Sequence, residues 1–373
     1  MLFFEQLSFW ERQQYIENNT FVIIGAGIVG MSTALSLHER FPKEKILIIE
    51  RGYLPTGAST KNAGFTCFGS PTELIDDINL IGEDKMWQTV ALRLEGLALL
   101  KKRISKREME LKESGSWDLI SANQSLIDKD ILDYLNKEFL LQFGLKDVYS
   151  IDNQIIAQSK FFGIKEAYKN QYEGSVNTGK LMQALYHNCI SAKIQFLFAT
   201  EMLEWTSSAN EVNILTNFGE LKAIQMFLCT NGFASKYFSQ ELKPARAQVL
   251  VTKPLRHSIS GTFHSDRGYY YFRDIGNCIL IGGGRNLDFH GETTTKFEKN
   301  QRIRQAILDK LTHELLPNQP FEIAYEWSGI MGVGSEKTPL IRSLNKNVHA
   351  GVRMGGMGLA IGSAVGAELS KLA

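Results

Sequence analysis

The stretch FVIIGAGIVGMSTALSLHERFPKEKILIIERG, residues 21–52, constrains the fold more than any other part of this chain. Phe21–Ile24 is short, apolar and rich in β-branched residues, which is typical of a buried parallel strand. Residues 29–40 follow the pattern of a helix that ends before Pro42, and residues 45–49 form a second apolar run. The stretch therefore predicts a βαβ unit.

Three glycines lie in the turn between the first strand and the helix of this unit. Gly25, Gly27 and Gly30 form the pattern G-x-G-x-x-G. The first allows a tight turn, the second lets the backbone approach a pyrophosphate, and the third lets the helix pack closely on the sheet. Because the start of a helix favours anions, we expect a dinucleotide at this turn.

An acidic residue, Glu50, ends the second strand, about twenty residues after the third glycine. A carboxylate at this place accepts hydrogen bonds from an adenosine ribose. It also disfavours a 2′-phosphate, which argues against NADP. From this stretch alone, NAD and FAD both remain open.

The segment after Glu50 and the end of the chain favour FAD over NAD. Residues 51–65, RGYLPTGASTKNAGF, form a loop of small, hydroxyl and amide residues that can hydrogen-bond phosphates and a flavin edge. Gly355, Gly356 and Gly358 form a second glycine turn that opens the final helix, and a helix start stabilises negative charge. Two such turns fit one long FAD better than one NAD.

Composition limits the partners and the compartment. The 373 residues carry 41 basic and 40 acidic side chains, so no global basic field exists for nucleic acid or an anionic membrane. The 4 cysteines are far apart, so we expect neither a disulfide framework nor a metal site. The N-terminus does not read as a secretory signal, and no apolar run reaches the ~18 residues of a membrane helix. We therefore expect a cytoplasmic protein without a transmembrane segment.

The order of the patterns predicts two interleaved domains. α/β patterns occur at the start, near residues 175–235 and at the end, whereas residues 245–285 are strongly β. We predict an α/β chain, α+β overall, with a Rossmann-like FAD-binding domain and an inserted, mainly antiparallel β-sheet substrate domain. The expected limits are residues 1–90, 165–240 and 325–373 for the FAD-binding domain, and 91–164 and 241–324 for the substrate-binding domain.

The motifs at the two ends of the chain resemble those of one family. VIIGAGIVGMSTALSL, ILIIERG, GASTKNAGF and the C-terminal GGMGLAIGSAVGAELS are similar to the D-amino-acid oxidase superfamily, more narrowly to its glycine oxidase and sarcosine oxidase type. Between them, MFLCTNGFAS resembles the family's strand that ends in a small-residue turn. The expected FAD-binding residues are Gly25, Ala26, Gly27, Ile28, Val29, Gly30, Glu50, Arg51, Ala58, Ser59, Thr60, Asn62, Ala63, Gly64, Phe65, Thr230, Asn231, Gly232, Gly355, Gly356, Met357, Gly358, Leu359 and Ala360.

The substrate side departs from the family pattern. Family members that oxidise small amino acids often carry G-L-R-P, whose Arg anchors the substrate carboxylate, but residues 329–332 here read GIMG. Met331 cannot form a bidentate pair with a carboxylate. Where many relatives have G-H-G-G, residues 353–356 read RMGG. We expect Arg285 or Arg353 to replace the anchor, because a guanidinium is a rigid fork of donors.

Tyr269, Tyr271 and Arg273 share one face of a predicted strand, and the two tyrosines line the pocket if that face looks at the flavin. The expected substrate-binding residues are Tyr269, Tyr271, Arg285, Arg353 and Met331. No histidine is assigned a role, because an amine that binds neutral needs no protein base. Sarcosine-oxidase-like relatives can link FAD to a Cys before a Thr-Pro pair; Val333–Lys337 contains none, so we expect non-covalent FAD.

The resemblance implies oxidation of the C–N bond of an amino acid or N-substituted amino acid, with hydride transfer to flavin N5 and hydrolysis of the imine. The electron acceptor, oxygen or another carrier, stays open because CILIGGG lacks the Lys that sarcosine oxidases use with oxygen. One alternative is a dehydrogenase of a 2-hydroxy acid or another amine that passes electrons to quinone or a partner protein. A tRNA-modifying flavoenzyme, which the neutral composition disfavours, and a non-enzymatic flavin-binding subunit are further alternatives.

Overall fold

A computed structural model describes residues 3–238 and 240–373. The helices are α1 (Phe9–Glu11), α2 (Ile28–Arg40), α3 (Ala58–Lys61), α4 (Pro71–Ile81), α5 (Glu83–Arg103), α6 (Lys129–Phe143), α7 (Gln154–Ser159), α8 (Thr178–Ser191), α9 (Gln301–Lys310) and α10 (Gly358–Ser370). The strands are β1 (Asn19–Ile24), β2 (Ile46–Ile49), β3 (Ser116–Ser121), β4 (Tyr149–Ile151), β5 (Ile164–Asn170), β6 (Gln195–Leu197), β7 (Met202–Ser207), β8 (Val212–Thr216), β9 (Gly219–Leu228), β10 (Lys243–Thr252), β11 (Thr262–Ser265), β12 (Tyr270–Ile275), β13 (Cys278–Gly283), β14 (Ile323–Val333), β15 (Leu340–Ser343) and β16 (Val348–Val352). Short 3-10 turns cover Phe4–Gln6, Asn231–Tyr237 and Arg285–Leu287, and π turns cover Arg12–Ile16 and Leu311–Leu315.

The first sheet carries the predicted βαβ unit. Its strand order is β15-β16-β9-β1-β2-β6, and β8 with β7 extends it from β9. β1 pairs in parallel with β2 and β9, and β9 pairs in parallel with β16. Val22, Ile23, Leu47 and Ile48 are fully buried, since this part of the sheet is covered on both faces. The Rossmann-like part of the prediction is confirmed.

The second sheet has the order β14-β10-β13-β12-β11-β3-β5-β4. Its pairs are antiparallel except β11 with β3, which run parallel. Phe263 stacks on Phe272 and on Trp117, with ring centroids 5.1 and 5.5 Å away, and these rings form part of a separate core. The chain enters this sheet twice between segments of the first sheet, which confirms the inserted, mainly antiparallel sheet.

Sheet membership differs from the expected domain limits at three places. The expected FAD-binding segments 165–240 and 325–373 begin inside β5 and β14, which belong to the second sheet because they pair with β3 and β10. Conversely, α5 extends into residues 91–164, which were expected to bind substrate, but it packs against α10 of the expected FAD-binding domain. The limits themselves stay a prediction. Among the described residues, no helix is long and apolar enough to cross a membrane.

Candidate active site

One cavity of about 770 Å³ is lined by residues from both sheets. At one end lie the glycine turn after β1, the end of β2 and the loop that contains α3. The start of α10 and the last residues of β14 complete this part of the wall. At the other end lie residues of β10, β11, β12 and β13. The two ends of the chain and the second sheet therefore meet at a single site.

The glycine turn has the close packing that its pattern predicts. Gly25 has a φ of +103°, and its N–H donates to the Ile49 carbonyl over 2.8 Å. A Cβ on Gly30 would lie 1.9 Å from the Gly25 carbonyl oxygen, so only glycine lets α2 begin this close to β1. The residue before α2, Gly27, has no side chain to cap the helix, and the Ile28 N–H donates to the Ser59 hydroxyl over 3.0 Å. The free N–H groups and the helix dipole there make an anion site.

Glu50 lies beside this turn at the edge of the cavity. Its carboxylate accepts from the N–H of Ala26 over 3.1 Å and from the N–H of Gly52 over 3.0 Å. Each carboxylate oxygen has two lone-pair directions, so capacity remains for the hydroxyls of a ribose. Next to it, the Arg51 guanidinium lies 4.0 Å from the centre of the Phe233 ring, and both line the cavity.

The loop after β2 is held against the second sheet. The Asn62 side chain donates to the carbonyls of Ala58 and Ser59 and accepts from the Gly64 N–H. From the opposite side, the buried Arg273 guanidinium donates to the Gly64 carbonyl. The same nitrogen donates to the carbonyls of Ala63 and Val176, so Arg273 fixes the loop rather than facing the cavity.

A second helix begins at the same cavity. α10 starts after Gly355 and Gly356 without a side-chain cap, and the Gly355 N–H donates to the Gly332 carbonyl over 3.0 Å. The Asn231 side-chain oxygen accepts from the N–H groups of Arg353 and Met354, which holds the turn in place. Two uncapped helix starts that face one cavity suit a ligand with a pyrophosphate at one end and a group that gains negative charge at the other.

Most of the expected FAD-binding residues meet in this cavity. Those on its wall are Gly25, Gly27, Ile28, Val29, Glu50, Arg51, Ala58, Ser59, Asn62, Ala63, Gly64, Phe65, Thr230, Asn231, Gly355, Gly356, Met357, Gly358, Leu359 and Ala360. Four expected residues are not on the wall and can only support it from behind: Ala26, Gly30, Thr60 and Gly232. Thr60, for example, donates its hydroxyl to the Pro55 carbonyl over 2.8 Å, and Gly232 packs against the Met331 backbone.

A comparison with protein families decides the nature of this site. The family of FAD-dependent oxidoreductases matches residues 20–372, nearly the whole chain. The chain belongs to the FAD-dependent oxidoreductase family. Its cofactor is FAD, and the residues described above fit that group: the start of α2 suits the pyrophosphate, Glu50 the ribose, and the start of α10 the flavin. The resemblance seen in the motifs is confirmed.

Relatives of this FAD-dependent oxidoreductase are distant in sequence but align with most of its length. A probable oxidoreductase, OrdL, of Haemophilus influenzae is 20% identical and aligns over 93% of this chain and 80% of its own. A D-amino acid dehydrogenase of Helicobacter pylori is 22% identical over 94% of both chains. The crystal structure of a glycine oxidase from Geobacillus kaustophilus has a TM-score of 0.74 at 16% identity, covering 94% of this chain and 93% of that one. The glycine oxidase structure therefore shares the fold of this chain.

The expected substrate-binding residues divide into two groups. Tyr269, Tyr271, Arg285 and Met331 line the cavity, whereas Arg353 is not on its wall. Their role in substrate binding stays a prediction. The Arg353 guanidinium donates to the Thr338 carbonyl over 2.8 Å and to the Glu241 carbonyl over 3.2 Å. Arg353 therefore ties the segment before the second glycine turn to neighbouring loops.

Tyr271 owes its position to a glycine on the neighbouring strand. Tyr271 on β12 pairs with Gly282 on β13, and a Cβ on Gly282 would lie 2.5–2.7 Å from atoms of the tyrosine ring. The ring lies flat on the glycine backbone and forms part of the cavity wall. Burial raises the pKa of Tyr271 to about 12, so its hydroxyl stays protonated at neutral pH.

Several cavity residues were missed by the sequence reading. His264 on β11 is buried on the wall, and its ring centre lies 5.1 Å from that of Phe65. Glu73 on α4 and Lys337 after β14 also line the cavity and form a charge cluster with Asp77 and Arg93. These residues come from a strand, a helix and a loop that are far apart in sequence, so no local motif marks them.

The two carboxyl groups of the charge cluster have pKa values that are shifted in opposite directions. Burial acts to raise the pKa of Glu73, but the charges of Arg93 and Lys337 outweigh it and lower that pKa. For Asp77, burial and the neighbouring Glu73 charge dominate and raise the pKa. Cys67 lines the same wall, and burial raises the pKa of its thiol well above the ordinary value. The thiol is therefore protonated at neutral pH and a poor nucleophile.

Proposed function

We propose that this protein oxidises the carbon–nitrogen bond of an amino acid or an N-substituted amino acid. The bound FAD supplies the chemistry by accepting a hydride at flavin N5. The chain binds the substrate, orients its C–H bond and excludes water from the ring. The imine product is then hydrolysed by water to a carbonyl compound.

The proposal rests on Arg285, a partly buried cation on the cavity wall whose Nε lacks a hydrogen-bond partner within the described part of the chain. Its guanidinium carbon lies 4.9 Å from the centre of the Phe289 ring. The Glu292 carboxylate, whose charge acts on Arg285, is already paired with Arg246 over 2.7 Å, and Arg285 itself has no ion pair among the described residues. Burial lowers the pKa of Arg285, which is the penalty of a desolvated cation. A substrate carboxylate would offset that penalty through a bidentate pair.

The walls around Arg285 suit the rest of such a substrate. Tyr269 and Tyr271 present aromatic surface, and Met331 presents a flexible apolar side chain. The names of the relatives also support this substrate class: they include a D-amino acid dehydrogenase, a glycine oxidase and an L-proline dehydrogenase. We propose that Arg285 anchors the substrate carboxylate, because this chain has Met331 at the position where many family members have the anchoring arginine.

The proposal is tested by mixing the purified oxidised protein anaerobically with glycine, sarcosine and the D- and L-amino acids. We expect at least one of them to bleach the visible flavin absorbance. Admitting air to the bleached sample then separates the two acceptors: fast recovery indicates an oxidase, whereas recovery only with an added quinone indicates a dehydrogenase. If no amino acid bleaches a flavin that dithionite does reduce, the proposal is wrong.

We also expect FAD to be held without a covalent bond, because the Cys67 thiol is protonated and Val333–Lys337 contains no cysteine. After acid precipitation the flavin should remain in the supernatant, and the protein pellet should be colourless. A yellow pellet with a flavin mass on a tryptic peptide would contradict this expectation.

Gly282→Ala should make the pocket selective against large substrates. The new methyl would meet the Tyr271 ring at 2.5–2.7 Å and push it into the cavity. A change of one methylene in a pocket is worth about 10–200-fold, so kcat/KM for leucine relative to glycine should fall about tenfold or more.

Two variants serve as controls for this effect. Gly179→Ala adds the same methyl to α8, where its closest contact is 3.4 Å, and should leave the ratio unchanged. In a Tyr271→Ala background the Gly282 substitution should have little further effect, since the displaced ring is gone. An unchanged leucine-to-glycine ratio in Gly282→Ala would argue against Tyr271 as a wall of the substrate pocket.

A further inference from the structure

A histidine on the cavity wall and an aspartate behind it occupy paired positions on neighbouring strands, and each has one buried side-chain atom without a partner. His264 on β11 pairs directly with Asp118 on β3 in the parallel register, so both side chains stand on the same face of the sheet. The residues are 5% and 2% exposed. The His264 Nε2 and the Asp118 Oδ1 are buried and have no hydrogen-bond partner within residues 3–238 and 240–373. A buried polar atom without a partner is uncommon in a folded protein and needs an explanation, and a catalytic role is one of those known.

The rest of Asp118 is firmly held. Its other oxygen, Oδ2, accepts from the Thr72 N–H over 3.1 Å and from the Thr72 hydroxyl over 2.5 Å. Burial raises the pKa of Asp118, while these hydrogen bonds and the nearby His264 act in the opposite direction. A positive charge on His264 would therefore stabilise the Asp118 carboxylate, and the carboxylate would stabilise that charge.

The other titratable groups near His264 are already occupied. Glu73 on α4 is paired with Arg93 over 3.2 Å and lies 3.8 Å from the Lys337 amine. Tyr271 on β12, the direct antiparallel partner of His264, keeps its proton because burial raises its pKa to about 12. Imidazole is the side chain that ordinarily exchanges a proton near neutral pH, which makes His264 the suitable proton carrier on this wall.

We propose that His264 accepts the proton that a substrate ammonium must lose before its carbon–nitrogen bond is oxidised, and that Asp118 is the positioning residue that holds the resulting imidazolium. This inference rests on the proposed oxidation of an amino acid. In the step, one N–H bond of the ammonium breaks and its electron pair stays on the amine nitrogen. An N–H bond forms on the His264 ring, and the positive charge moves from the substrate to the imidazole.

The test compares His264→Gln and Asp118→Asn with the natural protein and with His187→Gln, an exposed histidine on α8 that serves as the matched control. The amino acid that bleaches the natural flavin fastest, among glycine, sarcosine and D- and L-alanine, is the probe. The rate constant of anaerobic bleaching at saturating probe is measured between about pH 5 and 10, spanning the ordinary ranges of imidazole and amine groups.

In the natural protein and in His187→Gln, we expect this rate constant to rise with pH and to level off below the pH at which the free amine loses its proton. In His264→Gln it should be about 10²-fold lower near pH 7, and it should keep rising into the range of the free amine. Asp118→Asn should show an intermediate loss. Added imidazole should restore part of the rate in His264→Ala, and this rescue should follow the concentration of imidazole free base as pH changes, which filling of the vacated space alone would not produce.

A second readout does not depend on turnover. In protein labelled with ring-¹⁵N histidine, the resonance absent from His264→Gln belongs to His264, and its shift reports the protonation of the imidazole. We expect the Asp118→Asn substitution to change this resonance, because it removes the carboxylate charge on the neighbouring strand. A pH profile in His264→Gln that matches the natural protein, or a His264 resonance that is insensitive to Asp118→Asn, would overturn the inference. Failure of the natural protein itself to bleach would instead refute the proposed function.

Discussion

Replacing Arg285 by methionine should lower kcat/KM for amino acids by about 10²-fold. A charge-assisted hydrogen bond is worth about 1.5–3 kcal/mol, and each 1.4 kcal/mol is a factor of ten. The loss should appear mainly in KM, because the carboxylate lies away from the bond that reacts and is bound in the ground state as well. Steady-state kinetics with the best amino acid of the panel measure it. Arg285→Lys should retain part of the activity, since an ammonium keeps the charge but not the fork.

Arg267→Met is the matched control for this change. Arg267 also lines the cavity, but it is exposed and lies 3.4 Å from the Asp76 carboxylate, so it is not a free cation. Its loss should change kcat/KM far less than the loss of Arg285. Equal losses in the two variants would mean that the overall positive charge of the cavity attracts the substrate, and not a specific pair between Arg285 and its carboxylate. Retention of full activity by Arg285→Met would remove Arg285 as the anchor.

Gly30→Ala should abolish FAD binding. Its methyl would lie 1.9 Å from the Gly25 carbonyl oxygen, which belongs to the backbone of the turn and cannot move without displacing the start of α2. Overpacking of this kind destabilises a protein by about 1–3 kcal/mol or more. It would also shift the N–H groups that face the pyrophosphate. The ratio of flavin absorbance to protein absorbance after purification should fall close to zero, and Tm should fall by several degrees.

The Gly179→Ala variant again provides the comparison, because it adds a methyl to a helix without a close contact. It should purify with the same flavin content as the natural protein. If Gly30→Ala purifies with full flavin and an unchanged Tm, α2 does not begin where the structure places it, and the assignment of this turn to the pyrophosphate is wrong.

The cofactor half of the site could be predicted from the sequence because its signals are local. The turn from Gly25 to Gly30 and the carboxylate of Glu50 lie within one βαβ unit, where glycine spacing and strand ends dictate the geometry. The turn before α10 was equally readable, since glycines before a helix mark its start. The sequence motifs do not show how the two ends of the chain come together. In the structure, β9 pairs in parallel with both β1 and β16 and so brings the two glycine turns to one site.

The substrate half could not be predicted to the same depth. Arg285 and Arg353 are equivalent in sequence terms. Only the fold shows that the Arg353 guanidinium is bound to loop carbonyls, whereas the Arg285 side chain lines the cavity and its Nε has no hydrogen-bond partner within residues 3–238 and 240–373. His264 carries no local signal, because its partner Asp118 enters the second sheet from a distant part of the chain. Sequence spacing says nothing about which remote strands become neighbours, and the pocket is built from such neighbours.

We propose that Arg285 holds the substrate carboxylate and thereby places the amino acid at the flavin. This claim is tested most directly by comparing anaerobic bleaching by each amino acid of the panel with bleaching by its amide, such as sarcosine with sarcosinamide. The amide keeps the reacting C–N bond and removes the negative charge. We predict that the best amino acid bleaches the flavin and that its amide, at the same concentration, does so about 10²-fold more slowly. Bleaching of equal rate by the amide would contradict the claim.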